Sequence, residues 1–513
     1  MRNVISLYET TSLRISRKDK HMGLFLATTP IIIVVVGIVV LKKPTWIVSL
    51  IAAAYSAILA FTAFHTDAGT LLTTTGNGIY SALQTCFQLW SAFALLELMI
   101  RSTGMERMKV TISRLTTDKR VQIVLIAFCV GVFIEGATGS GAPAAILAPF
   151  LLGLGFDPVF AAAACLIGNG LPPCFGGAGV PTISGMAEIL DRVSLDALVA
   201  MEGRFLCVGI FVVPVIMLVV LYGWKSLKGM WGYLLAIAVT MSVSMFLVSN
   251  FIGPEVADLV TGVVGAIASV VYIKLVGVEE NEEYVNEVDY NVQSPLTTFK
   301  AFFPYLLTLI ALPVVRFTVP MSILTMYGYP TWIGVVVHLV VLVSAFVMGC
   351  PEKFVKCEIE GLKKLVFVII ALCAMFTLSN ICNTSGMMSE IAGAIVSVAG
   401  KAYPAAAVIV GAFGAFMTGS CLGSNRMFAP MHLEATTGLG INSVVSICGS
   451  SVGACAGNMI CPNNVIAVNA TLELKNAEGI VMARTVKAFI CLVLVYIVLA
   501  LLYTYVLFPN FGM

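Results

Sequence analysis

Apolar residues run along this chain in long unbroken blocks rather than alternating with polar ones. The blocks lie near 24–41, 46–64, 77–100, 121–134, 156–171, 204–223, 229–250, 255–276, 299–317, 330–349, 362–381, 388–416, 440–457 and 487–508. A helix needs roughly 20 apolar residues to cross about 30 Å of hydrocarbon. In lipid, helices and closed barrels alone satisfy their own backbone groups, and a barrel strand would alternate. The pattern therefore predicts an all-α polytopic membrane protein of roughly 12–14 membrane segments.

Composition sharpens this. Of 513 residues, 59% are hydrophobic and 11% charged, against roughly 25% charge in soluble domains; the mean hydropathy is +0.99. A soluble globular protein is excluded. The net charge of +2 gives no reason to expect nucleic acid or a broad anionic surface as partner. The 14 cysteines lie mostly inside apolar blocks without CxxC spacing, so they read as packing residues rather than disulfides or metal ligands.

Charge also gives organisation. Arg2, Arg14, Arg17, Lys18 and Lys20 precede the first block, which is long and is followed by Lys42 and Lys43 without a small-residue cleavage site. It reads as a retained first helix rather than a signal peptide. Short loops rich in Lys and Arg face the cytoplasm. That places the stretch with Arg101, Arg107, Lys109, Arg114, Lys119 and Arg120 there, and likewise Lys353, Lys356, Lys363 and Lys364. Three blocks separate the basic N-terminus from the first of these loops, so its side is left open. Val278–Pro295 holds Glu279, Glu280, Glu282, Glu283, Glu287 and Asp289 without Lys or Arg. It reads as a solvated linker (278–298) between an N-terminal half, 1–277, and a C-terminal half, 299–513.

Two stretches do not look like ordinary spans. Gly131-Val-Phe-Ile-Glu-Gly-Ala-Thr-Gly-Ser-Gly-Ala-Pro143 and Gly414-Ala-Phe-Met-Thr-Gly-Ser-Cys-Leu-Gly-Ser-Asn425 share Gly-x-Phe-x-x-Gly. Each is followed about twenty residues on by Gly-Leu-Gly (Gly153 to Gly155, Gly438 to Gly440), then by a second Gly/Pro break near 172–181 and 457–462. Gly and Pro weaken a helix interior by about 1 and 3 kcal/mol. At membrane depth the freed backbone groups are tolerable only against protein or a water-filled cavity. Interrupted segments at matching positions in two halves point to a transporter's substrate site, and half-helix N-termini suit an anion. Close packing is the bland alternative, and it fits Gly449, Gly453 and Gly457 at spacing four. For the two breaks, hydroxyls and amides accompany the glycines.

The same residues resemble the lactate permease family, carriers of lactate and related 2-hydroxymonocarboxylates coupled to a cation, usually a proton. The resemblance runs through Asp118-Lys-Arg-Val-Gln122, Phe133-Ile-Glu-Gly-Ala-Thr-Gly-Ser-Gly-Ala-Pro143, Leu154-Gly-Phe-Asp-Pro158, Cys165-Leu-Ile-Gly-Asn169, Phe175-Gly-Gly-Ala-Gly-Val-Pro181 and Ser249-Asn-Phe-Ile-Gly-Pro-Glu255. It closes on Thr418-Gly-Ser420, Ser424-Asn425, Met459-Ile460 and Pro462. There are departures. The family's second break usually reads Thr-Gly-Ser-Asp, with Cys421 here at the acid; its Gly-Lys-Met has Asn458 at the lysine, and its Ser-Pro-Gln-Ser is Cys461-Pro-Asn463-Asn464. Ser140 stands at a usual Phe, and Arg426 at a usually small residue. An acid and a base missing together is the neutral outcome if the two pair, because losing one alone strands a buried charge. The inverted sense of the two repeats is what the resemblance, and transporter folds in general, imply.

Ionisable groups inside a membrane are costly and default to functional candidates. Glu135, inside the first break, is the expected ion-coupling residue, as proton acceptor or cation ligand; capping free N–H groups is its bland alternative. Thr138, Ser140, Asn169, Thr418, Ser420, Ser424, Asn425 and Asn463 are the expected substrate-binding groups. Arg426 is the expected clamp on a substrate carboxylate, with a helix-end arginine facing headgroups as the competing view. Glu97 reads as interfacial, Arg204 and Arg316 as residues near helix ends, and His338 as packed. His432 and Glu434 are expected either to line the cavity or not.

An enzyme is not expected. Gly449-Ser-Ser-Val-Gly453 matches a nucleophile elbow in letters only, and neither a His-Glu-x-x-His site nor a phosphate-binding loop is present. A channel, or a carrier of another small organic anion, is the alternative. The sequence thus predicts a secondary active, cation-coupled transporter of a small monocarboxylate in a prokaryotic plasma membrane. Its expected partners are the carboxylate, the bilayer and, as an open alternative, further copies of the chain. No nucleic acid and no cofactor beyond the coupling ion, H+ or Na+, are expected.

Overall fold

The long apolar blocks become helices, and the Gly/Pro clusters become the places where helices stop. The computed structural model describes residues 17–512 apart from 38–40, 42, 140–141, 280, 286–293, 325, 328 and 364. In chain order the helices are α1 (Arg17–Val35), α2 (Thr45–Thr62), α3 (Ala68–Arg101), α4 (Gly104–Ser113), α5 (Lys119–Thr138), α6 (Ala142–Gly153) and α7 (Pro158–Gly168). Next come α8 (Gly176–Ile183), α9 (Leu195–Tyr222), α10 (Trp231–Phe251), α11 (Ala257–Leu275), α12 (Thr298–Thr318), α13 (Tyr329–Val347) and α14 (Phe354–Lys363). The last are α15 (Val366–Thr384), α16 (Met387–Ala399), α17 (Tyr403–Thr418), α18 (Cys421–Leu439), α19 (Ser443–Gly457), α20 (Pro462–Thr471) and α21 (Glu478–Leu502). Among the described residues, eight helices are long and apolar enough to cross a membrane.

Three boundaries differ from the apolar blocks. The block 388–416 is two helices, α16 and α17, parted at Gly400 with φ of +48°. Helices α6 and α18 fall between blocks, because their Gly, Pro and polar residues dilute the hydropathy that marks a span. Helices α6 and α7 have 12 and 11 residues. At about 1.5 Å per residue each reaches about half of a 30 Å core, and the two pack against each other as a hairpin.

The two halves repeat one order of elements. Helix, break, helix, turn, helix, break, short helix and long helix describe α5 to α9, and again α17 to α21. Even the turns agree. Gly155 and Gly440 take φ of +92° and +64°, and two residues later Asp157 and Asn442 cap the next helix. Asp157 accepts from the Phe160 N–H at 3.0 Å and Asn442 from the Val445 N–H at 3.2 Å, which satisfies backbone donors a helix start leaves free.

In space the helices sort differently. α3 is the spine of one bundle, with α13, α14 and α15 along it, α2 on α15 and α12 on α13. The second bundle joins α5–α11 to α17–α21: α17 lies on α19, α9 on α10, α19 and α21, and α11 on α5 and α10. Small residues set the closest approach. A Cβ on Gly453 or Gly457 of α19 would run into the Val408 and Ala412 carbonyl oxygens of α17. Gly449-Ser-Ser-Val-Gly453 is therefore helical packing surface and not a nucleophile elbow.

Part of the acidic segment is held against the protein. Arg120 is fully buried and grips the Asp118 carboxylate, with Nη2 2.6 Å from Oδ2. It also donates to the carbonyls of Ser226 at 3.0 Å, Lys228 at 2.8 Å and Glu279 at 3.3 Å. Its guanidinium stands 4.6 Å over the ring of Tyr284, which is itself buried. The start of the segment is pinned there; Glu280, Glu287 and Asp289 lie outside the described residues.

A cavity between the two breaks

Both breaks are made by glycine. α5 ends at Gly139 with φ of +64° and α17 at Gly419 with φ of +72°, positive-φ conformations that cost other residues about 1–3 kcal/mol. Past Gly419, Ser420 caps α18 by accepting from the Gly423 N–H at 3.4 Å. The Thr418 hydroxyl donates to the Gly414 carbonyl at 2.8 Å and the Ser420 carbonyl at 3.0 Å. In the N-terminal half, Pro172–Cys174 forms a tight turn. Three left-handed residues follow in a row, Gly177, Ala178 and Gly179, at φ of 57°, 59° and 74°. Strain of this kind persists only where the surroundings over-determine it, and it gathers at functional sites.

A cavity of about 50 Å³ lies between the breaks, room for a few waters at the roughly 10–15 Å³ each requires. One wall is Glu135, Gly139, Pro173, Gly176, Val180 and Pro181; the other is Gly419, Ser420, Cys421, Leu422 and Asn458. The start of α18 thus reaches it, and a helix start carries partial positive charge. Glu135 is 1% exposed, and its Oε2 accepts from the Asn169 amide at 2.9 Å. A Cβ on Gly176 would stand 2.6 Å from Glu135 Oε1, so that glycine makes room for the acid.

The structure brings some of the expected residues together and sets others apart. Glu135 and Ser420 line the cavity, and Asn169 reaches it through Glu135. Asn463 is 4% exposed, and neither amide atom has a partner; its Nδ2 lies 3.0 Å from where a Gly419 Cβ would be. Thr138 spends its hydroxyl on the Ile134 carbonyl at 2.8 Å, and Ser424 on the Gly411 carbonyl at 3.0 Å. Both are buried away from the lining. Asn425 ties the two halves by donating to the Pro181 carbonyl at 3.1 Å and the Ser451 hydroxyl at 3.0 Å. Arg426 is exposed and outside the lining. Ser140 lies outside the described residues.

The other ionisable candidates have structural partners. His338 Nδ1 is 2.9 Å from Glu358 Oε1, and His432 Nδ1 shares a 2.8 Å hydrogen bond with the Tyr403 hydroxyl. Glu434 pairs with Arg192, Glu97 with Arg101 at 2.7 Å. The Arg204 guanidinium packs over Phe246, Phe508 and Phe511; nothing of the Arg316 side chain is described.

Four further residues matter. Cys421 and Asn458, noted in the sequence as an acid and a base missing together, both stand on the cavity wall. Asp258 and Glu202 are buried carboxylates that the sequence reading passed over. Asp258 lies inside the apolar block 255–276, where the rule on charges in membranes flags it. Glu202 sits two residues before the block at 204–223, because its own charge pulled that boundary inward.

Long apolar helices, paired broken segments and a small cavity between them define a multi-pass membrane transport protein. The sequence profile of the L-lactate permease family matches residues 24–328 and 318–507, and the chain belongs to that family. It is a protein of the bacterial plasma membrane. It is 25% identical to the glycolate permease of Escherichia coli K12, over 94% of this chain and 96% of that protein. It is 26% identical to the L-lactate permease of Bacillus subtilis 168, over 84% and 87%. It is also 24% identical to the L-lactate permease of E. coli K12, over 94% and 96%. The solved YdaH transporter of Alcanivorax borkumensis, described as having an unusual topology, gives a TM-score of 0.38 at 13% identity, over 89% of this chain and 98% of that one. At that score the likeness carries no weight.

Proposed function

We propose that the chain is a secondary active carrier of lactate or a related small 2-hydroxymonocarboxylate, moved together with a proton. The observation that supports it most is the cavity whose one wall holds Glu135 and whose other wall is the capped start of α18 at Ser420. A helix start with unpaired N–H groups suits a carboxylate, and the partnerless amide of Asn463 beside Gly419 offers a further donor. The profile match and the named relatives fit the same substrate class. An anion entering a cell opposes about 2.3 kcal/mol per 100 mV of inside-negative potential, so uptake gains from a co-transported cation. Glu135 is the carboxylate within reach of the cavity to take it. The matching order of elements in α5–α9 and α17–α21 supports two repeats; that they are oppositely oriented and open the cavity alternately to each side is what the family resemblance and transporter folds in general imply.

Cys421 and Asn458 favour one neighbouring reading, a carrier for a different small organic anion, since the wall where the resembled family has a charge pair is neutral here. The test is counterflow in proteoliposomes with a panel of 2-hydroxy and simple monocarboxylates, on the parent and on Glu135→Gln. The parent should trap labelled lactate or a close relative against excess unlabelled anion. Glu135→Gln should keep part of that exchange and lose accumulation driven by a pH gradient. No counterflow with any monocarboxylate ends the proposal, and unitary currents in a planar bilayer make the protein a channel instead.

A further inference from the structure

Glu135 is not the sole acid in this part of the molecule. Asp258, in the first turn of α11, is 1% exposed, and neither carboxylate oxygen has a hydrogen-bond partner. It sits where α11 passes α5 at close range: a Cβ on Gly136 would stand 2.8 Å from the Asp258 Cβ. One turn on, a Cβ on Gly262 would stand 2.6 Å from the Phe133 Cα. The two glycines let α11 lie on the break-bearing helix, with Asp258 set against the residue that follows Glu135.

Among the described residues, the charged groups near enough to act on Asp258 are Glu135 and Glu202, both carboxylates. The other helices on α11 bring no counter-charge. α8 has no ionisable side chain. On α10, Tyr233 is engaged with Ser269 at 2.6 Å, and Cys129 of α5 faces Met241 at 3.8 Å. A buried carboxylate with neither a donor nor a cation beside it is costly to hold as an anion. No three His, Cys, Asp or Glu among the described residues are arranged to hold a metal ion.

We propose that Asp258 is a proton-binding site of the transport cycle, working with Glu135 and distinct from the groups that hold the anion. The proton comes from water on the side of higher acidity, rests on a carboxylate oxygen of Asp258, and leaves to water on the other side. No bond of the substrate changes. The idea rests on the proton-coupled reading above, and its test separates the two.

Purified, reconstituted full-length protein is examined by infrared difference spectroscopy between acid and alkaline buffers, which needs no substrate. The parent should show the carbonyl stretch of a protonated carboxylic acid that Asp258→Asn lacks and Asp258→Glu shifts. In proteoliposomes, Asp258→Asn should retain lactate counterflow, while lactate-driven acidification of the lumen falls about tenfold or more. An unchanged carbonyl band overturns the proposal. So does a loss of exchange and acidification in equal proportion, which marks a structural role. A sodium gradient that drives uptake in the parent but not in Asp258→Asn overturns it too, by making the site a sodium site. If the parent exchanges no monocarboxylate, the transport reading fails while the infrared result still decides the role of Asp258.

Discussion

The two breaks share a plan and differ in what they are made of. The first is surrounded by carboxyl groups: Glu135 on the cavity wall, Asp258 where α11 meets α5, and Glu202, whose Oε2 accepts from Thr182 at 2.7 Å. The second holds only dipoles: Ser420 at a helix cap, Cys421, Asn458, and the amide of Asn463. The backbone differs as well. Three consecutive left-handed residues serve the first half, while the second runs 458–460 straight into the proline start of α20. Two copies of one element order have thus diverged toward two chemistries. In the reading proposed here, the acidic side handles the ion and the dipolar side handles the anion.

The largest effect should come from putting charge back on the dipolar wall. Cys421→Asp places a further carboxylate in a cavity that already holds Glu135, with no cation beside it. An uncompensated buried charge costs about 3–5 kcal/mol, so this variant should melt far lower in detergent and lose transport. Cys421→Asp combined with Asn458→Lys should recover most of both, since the two positions face one small cavity. A double-mutant cycle reads the coupling directly. If the double variant is as damaged as the sum of the singles, the two positions do not meet and the comparison of the walls is wrong.

A middle-sized effect should separate binding groups from packing groups on that same side. The Asn463 amide is buried without partners, a state that costs about 1–3 kcal/mol when nothing is bound. Asn463→Ala should therefore leave the melting temperature unchanged or raised, yet weaken apparent affinity for the carboxylate by about tenfold. Ser424→Ala should do the reverse, because its hydroxyl already serves the Gly411 carbonyl. Stability should fall by about 0.5–1.5 kcal/mol with affinity intact. Thermal melts and counterflow titrations on the two proteins check both arms, and matching behaviour in both assays would erase the distinction.

The sequence made much of this legible because membrane burial leaves a coarse signal. Unbroken apolar blocks told helices from strands, and the Gly-x-Phe-x-x-Gly pair with its Gly-Leu-Gly turns marked both breaks. Glu135 stood out as an acid among glycines. What stayed hidden depends on which way a side chain points. Ser424 and Asn425 share a turn with Ser420, but only a fold shows that their polar atoms close hydrogen bonds within the protein. Hydropathy averaging also hid α6 and α18, whose glycines and prolines dilute the signal of a half-span. The mixing of residues 17–113 with 298–399 in one bundle was beyond reach, since a linker shows where a chain is cut and not which helices pack across it.

The smallest effect concerns Arg426, which the sequence singled out as the carboxylate clamp. On α18 it lies one turn beyond Leu422, a cavity-lining residue, and residues four apart share a helix face. Two turns farther on that face is Glu434, paired with Arg192. All three charged side chains are exposed, Arg192 by 46% and Glu434 by 69%. Charged groups along one face that begins at the cavity fit a watery approach better than a lipid contact. There Arg426 would draw anions toward the site rather than hold them in it. Exposed charges act over about 10 Å at 0.1 M salt and over much less at higher salt. Arg426→Ala should therefore raise the concentration for half-maximal uptake by only about two- to fivefold at low salt, with the difference vanishing at high salt. Arg426→Lys should behave as the parent, because steering needs a charge and not a two-pronged geometry. If Arg426→Ala instead eliminates transport at every salt concentration and Arg426→Lys fails with it, the guanidinium touches the substrate, and the dipolar side holds a charge after all.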